Sequence, residues 1–228
     1  MLGILAVLPA RAACRPIPGA ERLWSRPGLR FLLVGEMHGT AEAPAIFGDL
    51  VCAALAAGRP VVAGVERSAA EQDAINKGSF VAQSSDGRSS RAMLQLVQDL
   101  HKMKVAEVVA FSAEDEERMA AALKAAAERH AGALVIALSG NVHASKKMIE
   151  GIDYSPMAML LPADATVSLY VADRGGMAWN CQEDGCGPHA LRSSHGERRE
   201  VSLTSLAGYD GALSTGTVCT ASPPALGK

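Results

Sequence analysis

Four short apolar runs, separated by segments with helical periodicity, dominate residues 30–140. Each run is continuous rather than alternating, which is typical of strands buried on both faces of a parallel sheet. Between the runs, apolar residues recur every three or four positions, which indicates amphipathic helices. The sequence therefore predicts an α/β fold with a mainly parallel central sheet and helices on both faces. The four runs are 30–35, 60–66, 105–111 and 133–140.

The pattern changes after residue 150. Residues 166–171 alternate weakly, 176–179 form a short apolar segment, and 199–203 have the pattern of a further strand. These segments predict a small antiparallel C-terminal extension rather than a second domain. We expect one domain over residues 13–228, with a core at 30–150 that carries the motifs described below and an extension at 151–228 held by disulfide bonds.

The composition excludes several classes of protein. Hydrophobic residues make up 49% of the 228 residues and charged residues 20%, which is typical of a globular chain rather than a disordered one. The formal net charge is −2, so nucleic acid is not an expected partner. No apolar run reaches the ~18 residues that a membrane-spanning helix needs, so we expect no transmembrane segment.

The first twelve residues have the pattern of a secretion signal. An apolar stretch, MLGILAVL, is followed by Pro9 and then by the small-residue triplet at 10–12, which is typical of a cleavage site. We therefore expect residues 1–12 to be a signal peptide and the mature protein to be exported to the periplasm. A buried first strand is the alternative interpretation, since the stretch contains no Lys or Arg before its apolar part.

Five cysteines fit an exported protein with two disulfide bonds and one unpaired thiol. Cys181 and Cys186 flank a turn-like Gln-Glu-Asp-Gly loop, so we expect them to pair with each other. Cys219 lies in a tail with little else to hold it, and a bond to Cys14 or Cys52 would fix that tail. Unpaired thiols in a cytosolic protein are the alternative.

A Gly-x-x-His motif occurs twice, and each copy directly follows a predicted buried strand. The first copy spans Gly35 to His38 and the second spans Gly140 to His143. The carboxyl ends of parallel strands form one edge of a sheet, where ligands of open α/β folds bind. The two histidines are therefore expected to converge on one site if their strands are neighbours.

Carboxylates follow the other predicted strands at the same edge. Glu66 ends the second apolar run, Glu114 comes just after the third, and Glu36 lies inside the first motif. His38, His143 and Glu66 would suit a divalent metal such as Mn, Zn or Fe. The same residues, with Glu36, would also form a metal-free catalytic set in which a histidine beside a carboxylate activates water.

Two further polar residues are candidates for substrate binding. Arg88 precedes a predicted helix and would neutralise a substrate carboxylate or phosphate near the helix start. Asn141 lies inside the second motif and would form a hydrogen bond with a substrate. The alternatives are a simple turn at 86–90 and a helix-capping role for Asn141.

The segments VGEMHGTAEAP, VVAGVE and ALSGNVHA resemble the superfamily that contains erythromycin esterases, Tiki and TraB proteins, and ChaN-like haem-binding proteins. The resemblance covers residues 30–150 and places His38, His143, Glu36 and Glu66 in the site of that superfamily. It implies either metal-dependent peptide cleavage, as in Tiki-like members, or a histidine that activates water without metal, as in erythromycin esterases.

Together, these observations predict an exported hydrolase that cleaves an ester or amide in a small-molecule or peptide substrate, with a divalent metal as the expected cofactor. The alternative is a periplasmic haem or metal carrier of the ChaN type without turnover. Methionines at 148, 157 and 159 would contact a haem edge in that case, although core packing is the simpler role for them.

Overall fold

The computed structural model describes residues 14–80 and 84–225. Its main feature is a seven-stranded sheet. The predicted signal peptide at residues 1–12 lies outside the described residues. In their order across the sheet, the strands are β3 (Glu107–Ser112), β2 (Val61–Ser68), β4 (Leu134–Gly140), β1 (Phe31–Glu36), β5 (Thr166–Ala172), β9 (Gly211–Thr215) and β8 (Arg199–Ser202).

All neighbouring strands from β3 to β9 are parallel, and only β8 pairs antiparallel with its neighbour. The predicted α/β class with a mainly parallel sheet is therefore confirmed. β1, β2 and β4 are buried almost throughout, which explains why they are continuous apolar runs in the sequence.

The two faces of the sheet pack against different helices. Along β1, Leu32 and Val34 belong to one apolar cluster, and Phe31 and Leu33 belong to a second one, because successive side chains point to opposite faces. The first cluster includes α1 (Glu21–Trp24), α2 (Glu42–Ala56), α3 (Gln72–Ile75) and α4 (Arg91–Met103), and the second includes α5 (Glu116–Arg129) and the 3₁₀ turn Met157–Leu160.

The segment after residue 150 is more closely integrated than the sequence indicated. β5 pairs parallel with β1, and β9 pairs parallel with β5, so both continue the central sheet. The antiparallel part consists of β8 and of a separate hairpin formed by β6 (Gly176–Gln182) and β7 (Gly185–Leu191). β5 was expected in the antiparallel extension, but it is buried on both faces like the strands of the core.

The cysteine predictions were partly right. Cys181 and Cys186 form the predicted local disulfide bond, at directly opposite positions of the β6–β7 hairpin. The predicted bond from Cys219 is wrong, because Cys14 pairs with Cys52 and leaves Cys219 as a buried thiol. The C-terminal tail is held by backbone hydrogen bonds instead, as the Ser222 amide donates to the Gly39 carbonyl and the Ala225 amide to the Ser89 carbonyl.

Across the described residues, no helix is both long enough and apolar enough to cross a membrane.

Candidate functional site

Both Gly-x-x-His motifs and Glu66 lie at one edge of the sheet. β4 lies between β1 and β2, so the ends of these three parallel strands are adjacent. β1 delivers Glu36 and the following His38, and β2 delivers Glu66. β4 ends at Gly140, from which the short helix α6 (Asn141–Ala144) carries His143. The predicted convergence of the two histidines is therefore present.

The Glu66 carboxylate lies between the two imidazoles. Its Oε2 is 3.5 Å from His38 Nε2, and its Oε1 is 3.7 Å from His143 Nε2. The backbone amide of Gly140 donates a hydrogen bond of 2.6 Å to Oε2, which holds the buried carboxylate in this position. One carboxylate thus faces the same ring nitrogen of both motif histidines.

Each imidazole has a second carboxylate at its other ring nitrogen. His38 Nδ1 lies 3.0 Å from Glu36 Oε1, and His143 Nδ1 lies 2.6 Å from Glu116 Oε1. In the neutral tautomer with its proton on Nδ1, His143 donates this hydrogen bond to Glu116 and has a lone pair on Nε2. The other oxygen of Glu116 accepts from the Met157 amide at 2.6 Å, which fixes the carboxylate in turn.

Glu116 was not identified from the sequence, where Glu114 was the carboxylate assigned to the third strand end. Glu114 is wrong for this role, because its side chain is 88% exposed and pairs with Arg118 on the surface of α5. A signal for Glu116 was nevertheless present. Glu116 lies three, four and seven positions before three buried residues of α5, which are Met119, Ala120 and Leu123. This spacing places Glu116 on the inward face of that helix.

The motif glycines leave room for the opposite motif. A Cβ atom on Gly140 would lie 3.0 Å from His38 Nε2 and 3.6 Å from Glu66 Oε2. A Cβ atom on Gly35 would lie 2.9 Å from the Ala144 side chain in α6. The glycine in each motif is therefore needed so that the histidine or the helix of the other motif can pack closely.

The ionisable side chains of the site shift one another's pKa values. Burial alone would raise the pKa of Glu66, but the nearby His38, His143 and Gly140 amide lower it to about 2. Burial alone would lower the pKa of His38, but Glu66 and Glu36 raise it to about 10. Burial also raises the pKa of Glu36, against the opposing effect of His38. At neutral pH, His38 is therefore a cation beside an ionised Glu66.

A cavity of about 460 Å³ opens above these side chains. Arg88 lines it with a half-exposed guanidinium group, of which Nη2 is 2.9 Å from Asp86 Oδ2 and Nη1 is 3.9 Å from Glu66 Oε1. Asn141 also lines the cavity, and as the first residue of α6 it does not cap that helix. Substrate binding by Arg88 and Asn141 stays a prediction.

The β6–β7 hairpin forms one wall of the cavity through Asn180 and Cys181. Trp179 fixes this wall, because its backbone amide donates to the Gly39 carbonyl and its Nε1 donates to the Ser85 carbonyl, both at 2.9 Å. The Ser85 hydroxyl lies 3.5 Å from Cys186 Sγ. The C-terminal extension therefore shapes the site, although the motif resemblance ended at residue 150.

The predicted cofactors stay predictions. Within residues 14–80 and 84–225, no three His, Cys, Asp or Glu side chains are grouped so that they could hold a metal ion, and this includes the predicted set of His38, His143 and Glu66. Of the methionines considered for haem, Met157 packs in the core, whereas Met148 and Met159 are exposed.

Comparison with known proteins supports this fold. The chain superposes on a mutant of the erythromycin esterase EreC in its open conformation with a TM-score of 0.64 and 10% identity, over 90% of this chain and 94% of that one. The chain has the same fold as erythromycin esterase EreC. A crystal structure of a Bacillus cereus protein has the same fold, with a TM-score of 0.56 and 10% identity over 86% of this chain and 90% of that one. In sequence, no protein-family model and no curated protein matches the chain.

Proposed function

We propose that the protein is an exported hydrolase that activates water for attack on an ester or amide carbonyl. It would use His38 and His143 together with their glutamate partners. The observation that carries this proposal is the position of Glu66 between the Nε2 atoms of His38 and His143, at the floor of the cavity. Erythromycin esterase shares the fold, which agrees with a hydrolytic role.

His143 is the general base in this proposal. Glu116 holds the His143 proton on Nδ1, so that the lone pair on Nε2 faces the cavity floor. A water molecule beside Nε2 would transfer its proton there as its oxygen attacks the carbonyl carbon. Glu66 lies next to the same nitrogen and stabilises the imidazolium that forms.

His38 supplies positive charge. With its pKa raised to about 10 by Glu66 and Glu36 against the effect of burial, it is protonated at neutral pH. A fixed cation beside the reacting carbonyl stabilises the oxyanion of the tetrahedral intermediate. When that intermediate collapses, the bond from carbon to the leaving oxygen or nitrogen breaks, and the His143 imidazolium returns its proton to the leaving group. The products are a carboxylic acid and an alcohol or amine.

The cavity favours a small substrate. Its volume of about 460 Å³ lies within the range of about 300–1,000 Å³ that is typical of small-molecule sites. Met37 and Val142 supply apolar surface beside the polar floor, and Arg88 lies where it would contact a polar group of the substrate. Two disulfide bonds agree with a protein that works in an oxidising compartment such as the periplasm.

A panel assay of the mature protein tests the proposal. The substrates are 4-nitrophenyl esters of increasing acyl length and 4-nitroanilides of short peptides, each measured before and after chelation with EDTA. Turnover of at least one substrate is expected. Turnover that chelation abolishes and Mn, Zn or Fe restores would show that a metal takes part, as the sequence predicted. Absence of turnover together with a Soret shift on haem addition would instead favour the carrier and contradict the hydrolase.

A further inference from the structure

We propose that Tyr209, in the C-terminal extension, is a positioning residue that holds the His143 helix at the cavity floor. This inference rests on the proposed function only in giving His143 a catalytic role. Tyr209 OH donates a hydrogen bond of 2.6 Å to the backbone carbonyl of Asn141, which begins α6 two residues before His143.

α6 needs such support because it is very short. It has four residues, and its N-cap is Gly140, which has no side chain that could cap the helix. One helical turn is not stable by itself, since its nucleation costs more backbone entropy than its single hydrogen bond returns. The position of His143 therefore depends on contacts from outside the helix.

Three consecutive residues supply several of these contacts. The Gly208 carbonyl accepts from the Lys146 amide at 2.7 Å, just after α6. The Asp210 carboxylate accepts from Lys146 Nζ at 3.0 Å and from the Ser168 amide of β5 at 2.8 Å. Tyr209 contacts the start of α6, and Gly208 and Asp210 contact Lys146 just after its end. Residues 208–210 therefore attach both ends of the turn that carries His143 to the central sheet.

The Tyr209 hydroxyl remains a hydrogen-bond donor at neutral pH. Burial and the neighbouring Tyr170 raise the pKa of Tyr209 to about 12, so the phenol keeps its proton. The Tyr170 ring packs edge-on against the Tyr209 ring, with 5.4 Å between ring centroids. The ring of Tyr209 is therefore held by packing, and its hydroxyl is directed at α6.

Because packing against Tyr170 holds the ring, the contribution of the Tyr209 hydroxyl can be tested separately from that of the ring. Tyr209→Phe keeps the ring and its packing against Tyr170 and removes only the bond to the Asn141 carbonyl. Tyr170→Phe is the matched control, because it removes a hydroxyl from the same aromatic pair. We expect Tyr209→Phe to release the start of α6 and to shift His143 relative to Glu66 and Glu116.

Two measurements test this inference on the full mature chain. In two-dimensional ¹⁵N spectra of the histidine rings, with the His143 signals assigned through His143→Gln, we expect Tyr209→Phe to shift or broaden those signals and Tyr170→Phe to leave them unchanged. With the best 4-nitrophenyl ester, we expect kcat of Tyr209→Phe to fall about tenfold with KM within about twofold of wild type. The two thermal midpoints are expected to be similar.

The outcomes separate the inference from the proposed function. His143 signals that are equally unchanged in both variants, or an equal loss of kcat in both, would overturn the positioning role. A His143 shift confined to Tyr209→Phe in a protein without ester turnover would support the positioning role and contradict the hydrolase.

Discussion

Glu116 Oε1 lies 2.6 Å from Nδ1 of His143, although one residue begins α5 and the other lies in α6. The second oxygen of Glu116 is also engaged, as it accepts from the Met157 amide. The carboxylate therefore accepts hydrogen bonds on both sides, and this fixes the ring orientation of His143. A histidine oriented in this way by a buried carboxylate is the arrangement that general-base catalysis needs.

Replacing Glu116 by Gln is expected to lower kcat/KM about 100-fold or more. His143 Nδ1 and the Met157 amide face different oxygens of Glu116, so in Gln one of these two donors would face an NH2 group that cannot accept. Glu114→Gln is the matched control, because Glu114 lies two residues away and is exposed. Steady-state kinetics of the two variants would contradict this role of Glu116 if both retained the wild-type rate.

Replacing Gly140 by Ala is expected to lower kcat/KM at least about tenfold and to reduce stability only as far as the His38–Glu66 contact is weakened. Gly140 has φ −56° and ψ 147°, which alanine adopts freely, so the effect comes from the added methyl group. That group would lie 3.0 Å from His38 Nε2 and would displace the ring from Glu66. Gly187→Ala is the control, as the nearest atom to its added Cβ is 3.9 Å away. Kinetics and thermal unfolding of both variants check this expectation.

The protein is expected to lose stability as the pH rises from about 6.5 to about 10. Glu66 and Glu36 outweigh burial and raise the pKa of folded His38 above its ordinary value of 6.5 to about 10. The favourable interaction is complete below pH 6.5 and disappears as folded His38 loses its proton, so its contribution falls across this range. Because one pKa unit corresponds to about 1.4 kcal/mol, urea unfolding is expected to show a loss of about 4 kcal/mol between these two pH values.

His38→Gln is expected to flatten that pH dependence, since the titrating group is gone. His130→Gln provides the control, because His130 also contacts a glutamate, Glu107 at 2.9 Å, but neither residue lines the cavity. An alkaline loss of stability in His38→Gln as large as in the wild type would assign the effect to other groups.

The two disulfide bonds are expected to have separable effects. Removing Cys181–Cys186, which closes a separation of five residues at the cavity wall, is expected to raise KM and to cost about 2 kcal/mol. Removing Cys14–Cys52, which closes a separation of 38 residues, is expected to cost about 4 kcal/mol and to leave KM unchanged. Double Ser variants of each pair, measured by denaturant unfolding and steady-state kinetics, check this difference.

The parts of the site that the sequence revealed are those that follow directly from strand ends. Glu36, His38 and Glu66 come at or just after continuous apolar runs, and parallel strands bring such positions to one edge. The second motif follows the same rule through β4. Their position at one edge was therefore predictable, whereas their convergence also required β1, β4 and β2 to be neighbours, which the structure shows.

The parts that the sequence did not reveal depend on helix phase or on distant pairing. Glu116 lies within the acidic run 114–117, and only the phase of α5 distinguishes it from Glu114. Tyr209 reaches Asn141 across 68 residues because β5 and β9 extend the sheet beside β1. Such a contact leaves no periodic trace in the sequence, so residues 151–228 gave no sign of their role at the site.

The most direct test of the proposed mechanism is the rate at which His143→Gln hydrolyses the best ester substrate of the wild-type protein. His130→Gln is measured beside it, since it removes a histidine with a glutamate partner outside the cavity. If His143 activates the attacking water, kcat/KM of His143→Gln falls at least about 100-fold, whereas His130→Gln keeps the wild-type rate. Equal rates in the wild type and both variants would contradict the mechanism.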